Sequence, residues 1–253
     1  MFVNHSYLEQ AKRVIRNTIF SGIGILVFST NLVAQLRNQL NLPESDEKDF
    51  HIGIVIMGSS NRFQVSQHPN FLQHDSILVT SPQNTLGIGL GGMFTLRLTK
   101  RFELRAIFPQ LLFVNKSISY TLKYPNISYD EQPVMTKNVE SILLGLPIQV
   151  KFRSDRINNF RVYMMGGFKT EYDLSSKAHA KNADDLVKLQ PIDYGIEAGV
   201  GFNFYMPYFI LSPEIKISNG ISNSHSRDPN LKFSNVIDKI QTRMIVFSLI
   251  FEG

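Results

Sequence analysis

The stretch TLGIGLGGMFTLRL, residues 85–98, alternates between two kinds of side chain. Its even positions are apolar except for one glycine, and its odd positions are mostly small or polar. A period of two is typical of a β-strand with one face in an apolar environment. The same alternation recurs in residues 160–173 and 193–205. The sequence therefore predicts an all-β protein.

Extending this alternation along the chain predicts eight strands. Most of them are much longer than the usual strand of about 5 or 6 residues. Long strands in even number suit a tilted membrane barrel, in which about 9 to 11 residues cross the apolar layer. The predicted strands are 50–62, 84–99, 102–124, 139–153, 160–173, 191–205, 208–218 and 240–252.

The predicted connections alternate between long and short. Long segments follow the first, third, fifth and seventh strands, and very short ones follow the second, fourth and sixth. Outer-membrane barrels have tight periplasmic turns and long outer loops. We therefore expect an eight-stranded antiparallel transmembrane β-barrel with short periplasmic turns and long outer loops, not a soluble lipocalin-like barrel.

The composition of the 253 residues agrees with a barrel. The chain is 43% hydrophobic and 19% charged, with a mean hydropathy of -0.06. Cysteine is absent, which excludes disulfide scaffolds, thiol nucleophiles and Cys-ligated metals. After residue 35 the sequence contains no apolar run of the length that a spanning helix needs, roughly 18 residues.

The N-terminal region resembles an export signal. Lys12, Arg13 and Arg16 precede an apolar run at residues 19–28, and Ala34 follows as a small residue. We predict a cleaved signal peptide at 1–34, a flexible periplasmic lead-in at 35–49 and an outer-membrane barrel at 50–253. The net charge of +5 falls when the basic leader residues are removed with the signal peptide. This lower charge, together with export, argues against a nucleic-acid partner.

The more polar face of the predicted strands carries many ionisable side chains. So many charges do not form a dry core, so this face is predicted to line the lumen. Eight strands leave an interior that side chains fill, which predicts a plugged barrel rather than a channel. The predicted lumenal charge network consists of Arg97, Glu103, Arg105, Lys169, Glu171, Glu197, Glu214, Lys216 and Arg243.

Three patterns suggest chemistry, but each has a simpler interpretation. Gly87, Gly89 and Gly92 match the dinucleotide fingerprint, yet they lie inside a predicted strand rather than before a helix. One outer loop contains Ser, His and Asp, but a polar loop of this length holds such residues by chance. Two histidines of the first outer loop match no metal-site spacing and are expected to be solvated. We therefore expect no catalytic residues, no cofactor, no metal and no small-molecule substrate. The loop residues concerned are Ser224, His225, Ser226, Asp228, His68 and His74.

Four segments resemble the PorT family of Bacteroidota outer-membrane barrels. They read VESILLGLPIQVKFRSDRINNFRVYMMGG at 139–167, VKLQPIDYGIEAGVGFNFY at 187–205, SPEIKIS at 212–218 and NVIDKIQTRMIVFSLIFE at 235–252. The resemblance is tightest in FRSDRINN and PEIK. It implies a non-enzymatic barrel of the type IX secretion system, which exports proteins with a C-terminal sorting domain and serves gliding motility.

The resemblance implies an accessory or assembly role with other type IX secretion components and outer-membrane lipid as partners. The turn FRSDRINN is predicted to be periplasmic, where Arg153, Asp155 and Arg156 would meet a partner. Two alternatives remain open. One is a lipid-modifying outer-membrane enzyme with an outer-rim site at Ser224, His225 and Asp228, and the other is a narrow pore.

Overall fold

Nine β-strands follow one another in the computed structural model, which describes residues 40–68, 77–124, 132–176, 189–226 and 236–253. A single turn of 3-10 helix at Pro43–Asp46 precedes them. The strands are β1 (Phe50–Gln67), β2 (Ile77–Gln83), β3 (Thr85–Arg97), β4 (Phe102–Leu122), β5 (Val134–Arg153), β6 (Phe160–Asp173), β7 (Ile192–Tyr205), β8 (Ile210–Gly220) and β9 (Ile237–Glu252).

Eight of these strands pair into a closed antiparallel ring, in the order β4-β3-β1-β9-β8-β7-β6-β5 and back to β4. The remaining strand, β2, pairs with β4 at Ser117–Leu122, directly beyond the part of β4 that pairs with β3. β2 and β3 therefore occupy one position of the ring, interrupted at Asn84. The predicted all-β, eight-stranded barrel is confirmed.

Several strands are longer than predicted at one end of the barrel. β1 continues to Gln67, β5 begins at Val134 and β9 begins at Ile237. These extra residues pair with a neighbouring strand, so the ladders extend beyond the predicted ends. The prediction stopped short because these residues alternate less regularly, whereas backbone pairing with a long partner still holds them extended.

The short connections lie together at the opposite end, at 98–101, 154–159 and 206–209. Aromatic rings pair near this end, including Phe102 with Phe152 at a centroid distance of 5.2 Å and Phe160 with Phe204 at 5.3 Å. Such a row of rings is typical of the membrane interface of a barrel. We call this the periplasmic end, and the end with the long connections the outer end.

The chain separates into two units, residues 1–39 and 40–253. The predicted signal peptide and residues 35–39 of the predicted lead-in lie outside the described residues. Among the residues that are described, there is no helix with the length and apolar character needed to cross a membrane.

Most of the outward face is apolar, with exposed side chains such as Ile54, Ile88, Leu90 and Phe247. The lumen, however, holds apolar side chains as well as the predicted charges. One apolar cluster fills its side next to β1, β3, β4 and β9, and a second closes the outer end. The first includes Val55, Met57, Met93, Leu112, Met244 and Ile250, and the second includes Phe63, Ile118, Tyr120, Leu189, Ile237 and Ile240.

Candidate functional site in the lumen and at the periplasmic rim

Arg105 on β4 is the centre of the charged part of the lumen. Its side chain is fully buried and forms ion pairs with Glu214 on β8 at 2.7 Å and with Glu252 on β9 at 3.5 Å. The hydroxyl of Tyr163 donates to the same Glu214 oxygen at 3.0 Å, and Ser212 donates to Glu252 at 3.3 Å. A buried guanidinium thus joins strands from opposite sides of the ring.

A second ion-pair group lies beside it, nearer the periplasmic end. Glu103 pairs with Arg153 at 2.6 Å and with Lys151 at 3.3 Å, and all three side chains are buried. The Lys151 ammonium also lies 4.0 Å from the centre of the Tyr163 ring, within cation–π range. Tyr163 therefore contacts both groups.

A third group occupies the lumen farther toward the outer end. Lys216 pairs with Glu197 at 3.1 Å, and Gln149 donates to the same carboxylate at 2.7 Å. Lys169 pairs with Glu171 at 2.7 Å. Each of these side chains is buried, so each charge is neutralised by its partner within the lumen.

The structure brings seven of the predicted lumenal residues into these groups and places two elsewhere. Arg97 lies at the periplasmic end, where it is partly exposed and pairs with Asp49 at 3.0 Å. Arg243 was predicted to be lumenal, but its side chain is exposed on the outward face. That prediction is wrong because Arg243 has the parity of Ile245, Phe247 and Phe251, which face outward. The seven are Glu103, Arg105, Lys169, Glu171, Glu197, Glu214 and Lys216.

Three residues of these groups, Lys151, Tyr163 and Glu252, are absent from the predicted lumenal charge network. Alternation places Tyr163 on the same face as Arg161 and Lys169, so its inward direction was recoverable. Its hydrogen bond to Glu214 was not, because β6 and β8 are not neighbours in the ring. Glu252 has the opposite parity to Ile245, Phe247 and Phe251, so its inward direction was also recoverable.

The three groups are balanced in charge, since Glu103, Glu214 and Glu252 face three cations and Glu171 and Glu197 face two. A charge that is buried and paired is fixed in place, because breaking the pair leaves an uncompensated charge in a low-dielectric interior. Together with the apolar cluster at the outer end, these pairs make the described part of the lumen a packed interior.

At the periplasmic rim, residues 41–46 of the predicted flexible lead-in contact the barrel. Asp46 pairs with Arg161 at 2.8 Å and with Arg156 at 3.4 Å, and the Tyr205 hydroxyl donates to it at 3.1 Å. Asn41 adds hydrogen bonds from its backbone N–H to Asn159 and from its side chain to the Tyr205 carbonyl. The end of the lead-in is thereby held across the rim.

The predicted partner turn is partly occupied by these internal contacts. Arg153 points into the lumen toward Glu103, and the Arg156 guanidinium lies 3.6 Å from the centre of the Tyr205 ring while donating to the Asn41 carbonyl. Asp155 alone of the three predicted residues is well exposed, and it pairs with the exposed Arg101 at 2.9 Å.

Changing Asp46 to Asn is expected to release residues 41–49 from the rim. The substitution removes the carboxylate charge shared by Arg156 and Arg161, and hydrogen bonds to charged groups are worth about 1.5–3 kcal/mol. We expect amide hydrogen exchange in this segment to rise roughly 10- to 100-fold, measured by mass spectrometry.

Asp49→Asn is the matched control for that measurement. Asp49 is 82% exposed and pairs only with the rim residue Arg97 among the described residues, so screening by water makes the pair weak. Equal protection of the segment in wild type and Asp46→Asn would show that Asp46 does not hold it.

The residues of the other predicted patterns are dispersed. Gly87, Gly89 and Gly92 lie inside β3, in agreement with the strand interpretation. Ser224 and His225 are buried at the outer end, where Ser224 exchanges backbone hydrogen bonds with Gln190 and Ile240. His68 follows β1 and donates its backbone N–H to Val236. Asp228 and His74 lie outside the described residues.

Among known proteins, the chain has a family match and several distant structural neighbours. Among curated proteins, none matches the chain. The outer membrane protein OprG from Pseudomonas aeruginosa is 11% identical, with a TM-score of 0.45 over 81% of this chain and 95% of that one. Neisserial surface protein A is 8% identical, with a TM-score of 0.38 over 81% of this chain and 97% of that one.

The attachment invasion locus protein Ail of Yersinia pestis, solved with the heparin analogue sucrose octasulfate, is 10% identical. Its TM-score is 0.36, over 81% of this chain and all of the other. All three neighbours are too distant to indicate what this chain binds. The sequence profile described as an outer membrane protein β-barrel domain matches residues 33–226, most of the chain. The chain therefore belongs to the outer membrane protein β-barrel domain family.

Proposed function

We propose that this outer-membrane barrel is a non-enzymatic, non-conducting accessory or assembly component of the type IX secretion system. The observation that carries the non-conducting role is the packed lumen, which is filled by buried ion pairs and apolar side chains. The assignment to type IX secretion rests on the resemblance of FRSDRINN and PEIK to the PorT family. Other secretion components and outer-membrane lipid are its proposed partners.

The two motifs that carry the resemblance supply side chains to the filled interior and to the rim. PEIK contributes Glu214 and Lys216, which pair with Arg105 and Glu197 in the lumen. FRSDRINN contributes Arg156, which binds the lead-in. The two motifs therefore contribute side chains that fill the lumen and hold the lead-in at the rim, which supports a structural role rather than transport through the barrel.

The exposed part of FRSDRINN is the proposed contact for another secretion component. Ile157 is 71% exposed at the tip of this turn, next to the exposed pair of Asp155 and Arg101. An exposed apolar side chain bordered by charges is a common feature of a protein contact site. Because Arg153 and Arg156 are engaged internally, we assign the contact to Asp155 and Ile157 instead.

Deleting the gene is expected to abolish the extracellular appearance of proteins that carry the C-terminal sorting domain. The measurement is immunoblotting of culture medium and periplasm, with the wild-type gene restored as a control. Affinity purification of the tagged barrel from outer membranes should recover other secretion components. Normal secretion by the deletion strain would contradict the proposed function.

Ile157→Asp tests the contact site within the same strain. We expect the variant to insert as a folded barrel but to restore secretion poorly, because a buried aspartate is costly at an apolar contact. Ile221→Asp is the matched control, since Ile221 is 52% exposed at the outer end. Restoration of secretion by Ile157→Asp to the level of Ile221→Asp would remove this surface from the proposal.

Recording in planar bilayers tests the closed lumen separately. Purified barrel is expected to give no steady openings, because buried ion pairs and the apolar cluster at the outer end fill the described lumen. Regular conductance steps would instead support the narrow pore.

A further inference from the structure

Two arginines face each other on the outward surface of the barrel. Arg62 on β1 and Arg243 on β9 are directly paired in the antiparallel register, and both side chains are exposed. Side chains directly opposite on neighbouring strands have Cβ atoms about 4.5–5.5 Å apart, and like charges in this arrangement repel. Within the described residues neither guanidinium has an ion-pair partner.

Among the described residues, no carboxylate lies next to the arginine pair. Gln64 and Gln241 form the next outward pair on the same strands, and Asn219 of β8 lies opposite Arg243. Of the described outward carboxylates, the nearest at this level is Glu140 on β5, three strands from β1, which is about 14 Å at the usual strand spacing. On β9 itself, Asp238 is exposed five residues away, about 17 Å along the strand.

The position of the pair along the barrel indicates what it meets. Phe50 lies in the aromatic row at the periplasmic end of β1, and Arg62 is twelve residues farther along the same outward face. With a rise of about 3.4 Å per residue and a tilt near 40°, this separation is roughly 30 Å along the barrel axis. That height matches the apolar layer of a membrane. The arginines therefore lie where the outer leaflet changes from acyl chains to headgroups.

We propose that Arg62 and Arg243 together bind the phosphate of a phosphorylated lipid headgroup in the outer leaflet. A phosphate between them would accept charge-assisted hydrogen bonds from both guanidinium groups, which is the geometry that arginine favours. It would also neutralise two like charges that otherwise repel. We assign the phosphate to a lipid of the outer leaflet because both arginine side chains point away from the lumen. The apolar side chain of Ile245 is the next outward residue of β9 toward the periplasmic end. This inference does not depend on the proposed role in secretion.

The test uses the full-length mature barrel in detergent, titrated with lipid A and with the same lipid A after enzymatic removal of its phosphate. Bound lipid is counted by native mass spectrometry. We expect wild-type protein to prefer the phosphorylated form at least about 10-fold, and Arg62→Gln/Arg243→Gln to lose that preference. Retention of the preference by the double variant would overturn the proposal.

Lys100→Gln/Arg101→Gln is the matched control, because it removes the same charge from exposed positions at the periplasmic end. This variant should keep the preference, and an equal loss in both variants would show only non-specific attraction by net charge. Millimolar inorganic phosphate should not displace the lipid. If it does, the pair is a site for free phosphate and the lipid assignment fails.

Arg62→Glu tests whether the preference for phosphorylated lipid is lost through misfolding rather than through the missing arginine. This substitution replaces repulsion by an opposite-charge pair with Arg243, so the barrel should resist heat at least as well as wild type in phosphate-free detergent. It should nevertheless lose the preference for phosphorylated lipid. A variant that keeps both its fold and its preference would overturn the proposal.

Discussion

Arg105→Met is expected to destabilise the barrel by about 3–5 kcal/mol, the usual cost of removing one partner of a buried ion pair. Glu214 and Glu252 would remain buried beside an apolar side chain, and their hydrogen-bond donors among the described residues would be the hydroxyl groups of Tyr163 and Ser212. The measurement is urea unfolding in phospholipid vesicles, followed by circular dichroism and by the shift in gel mobility on heating. Tryptophan is absent from the chain, so its fluorescence does not report on folding.

Two further variants show whether the loss comes from the unpaired charge. Arg105→Met/Glu214→Met should recover part of the stability, because apolar residues of similar volume often replace a buried pair at little cost, while Glu252 still lacks its Arg105 partner. Arg101→Met removes the exposed pair with Asp155 and should have little effect. Unfolding of Arg105→Met at the wild-type urea concentration would contradict a structural role for this group.

Gly167→Ala is expected to lower stability strongly, while Gly166→Ala in the same strand is tolerated. A Cβ at Gly167 would overlap the Ile148 carbonyl oxygen and lie 2.7 Å from the Gln149 Cα, both in the backbone of the paired strand β5. Backbone does not yield as a flexible side chain does, so overpacking costs of about 1–3 kcal/mol or more apply. At Gly166 the nearest atom would be the Glu197 carbonyl oxygen at 3.7 Å, an ordinary contact.

The measurement is the same urea titration, performed on both alanine variants and wild type. Gly166→Ala should unfold at or slightly above the wild-type urea concentration, because alanine loses less backbone entropy than glycine on folding. Gly167→Ala should unfold at a clearly lower concentration or fail to form the heat-modifiable band. Equal behaviour of the two variants would show that β5 and β6 have room to separate.

The fold was largely predictable from local sequence features. Alternation at residues 85–98 defines an outward apolar face, since successive side chains of a strand point to opposite sides. The alternation of long and short connections predicted the ring and its orientation. The interrupted strand β2 was missed, because ILVTSPQ contains Pro82, a residue that argues against a paired strand. β2 is extended here because it pairs with β4 from Ile77 to Gln83.

The faces of individual strands were predicted with partial success. Parity alone assigns Arg105, Glu197 and Glu214 to the lumen, where they are buried. Applied consistently, parity also places Arg243 outside. The apolar side of the lumen was not visible in this way, because both faces of β9 are apolar in the segment MIVFSLIF at 244–251. A strand with two apolar faces gives no signal of which face meets lipid.

By itself, the sequence determined the strand periodicity, the class of barrel and the excess of charge on the inner face, because each is a property of neighbouring residues. Only the tertiary structure decided which charges meet. Arg105 and Glu214 lie on β4 and β8, at opposite positions of the ring. Their contact depends on strand tilt and stagger, which the whole closed sheet sets. For the same reason, only the closed ring revealed that Arg62 faces Arg243 and that Asp46 reaches Arg161.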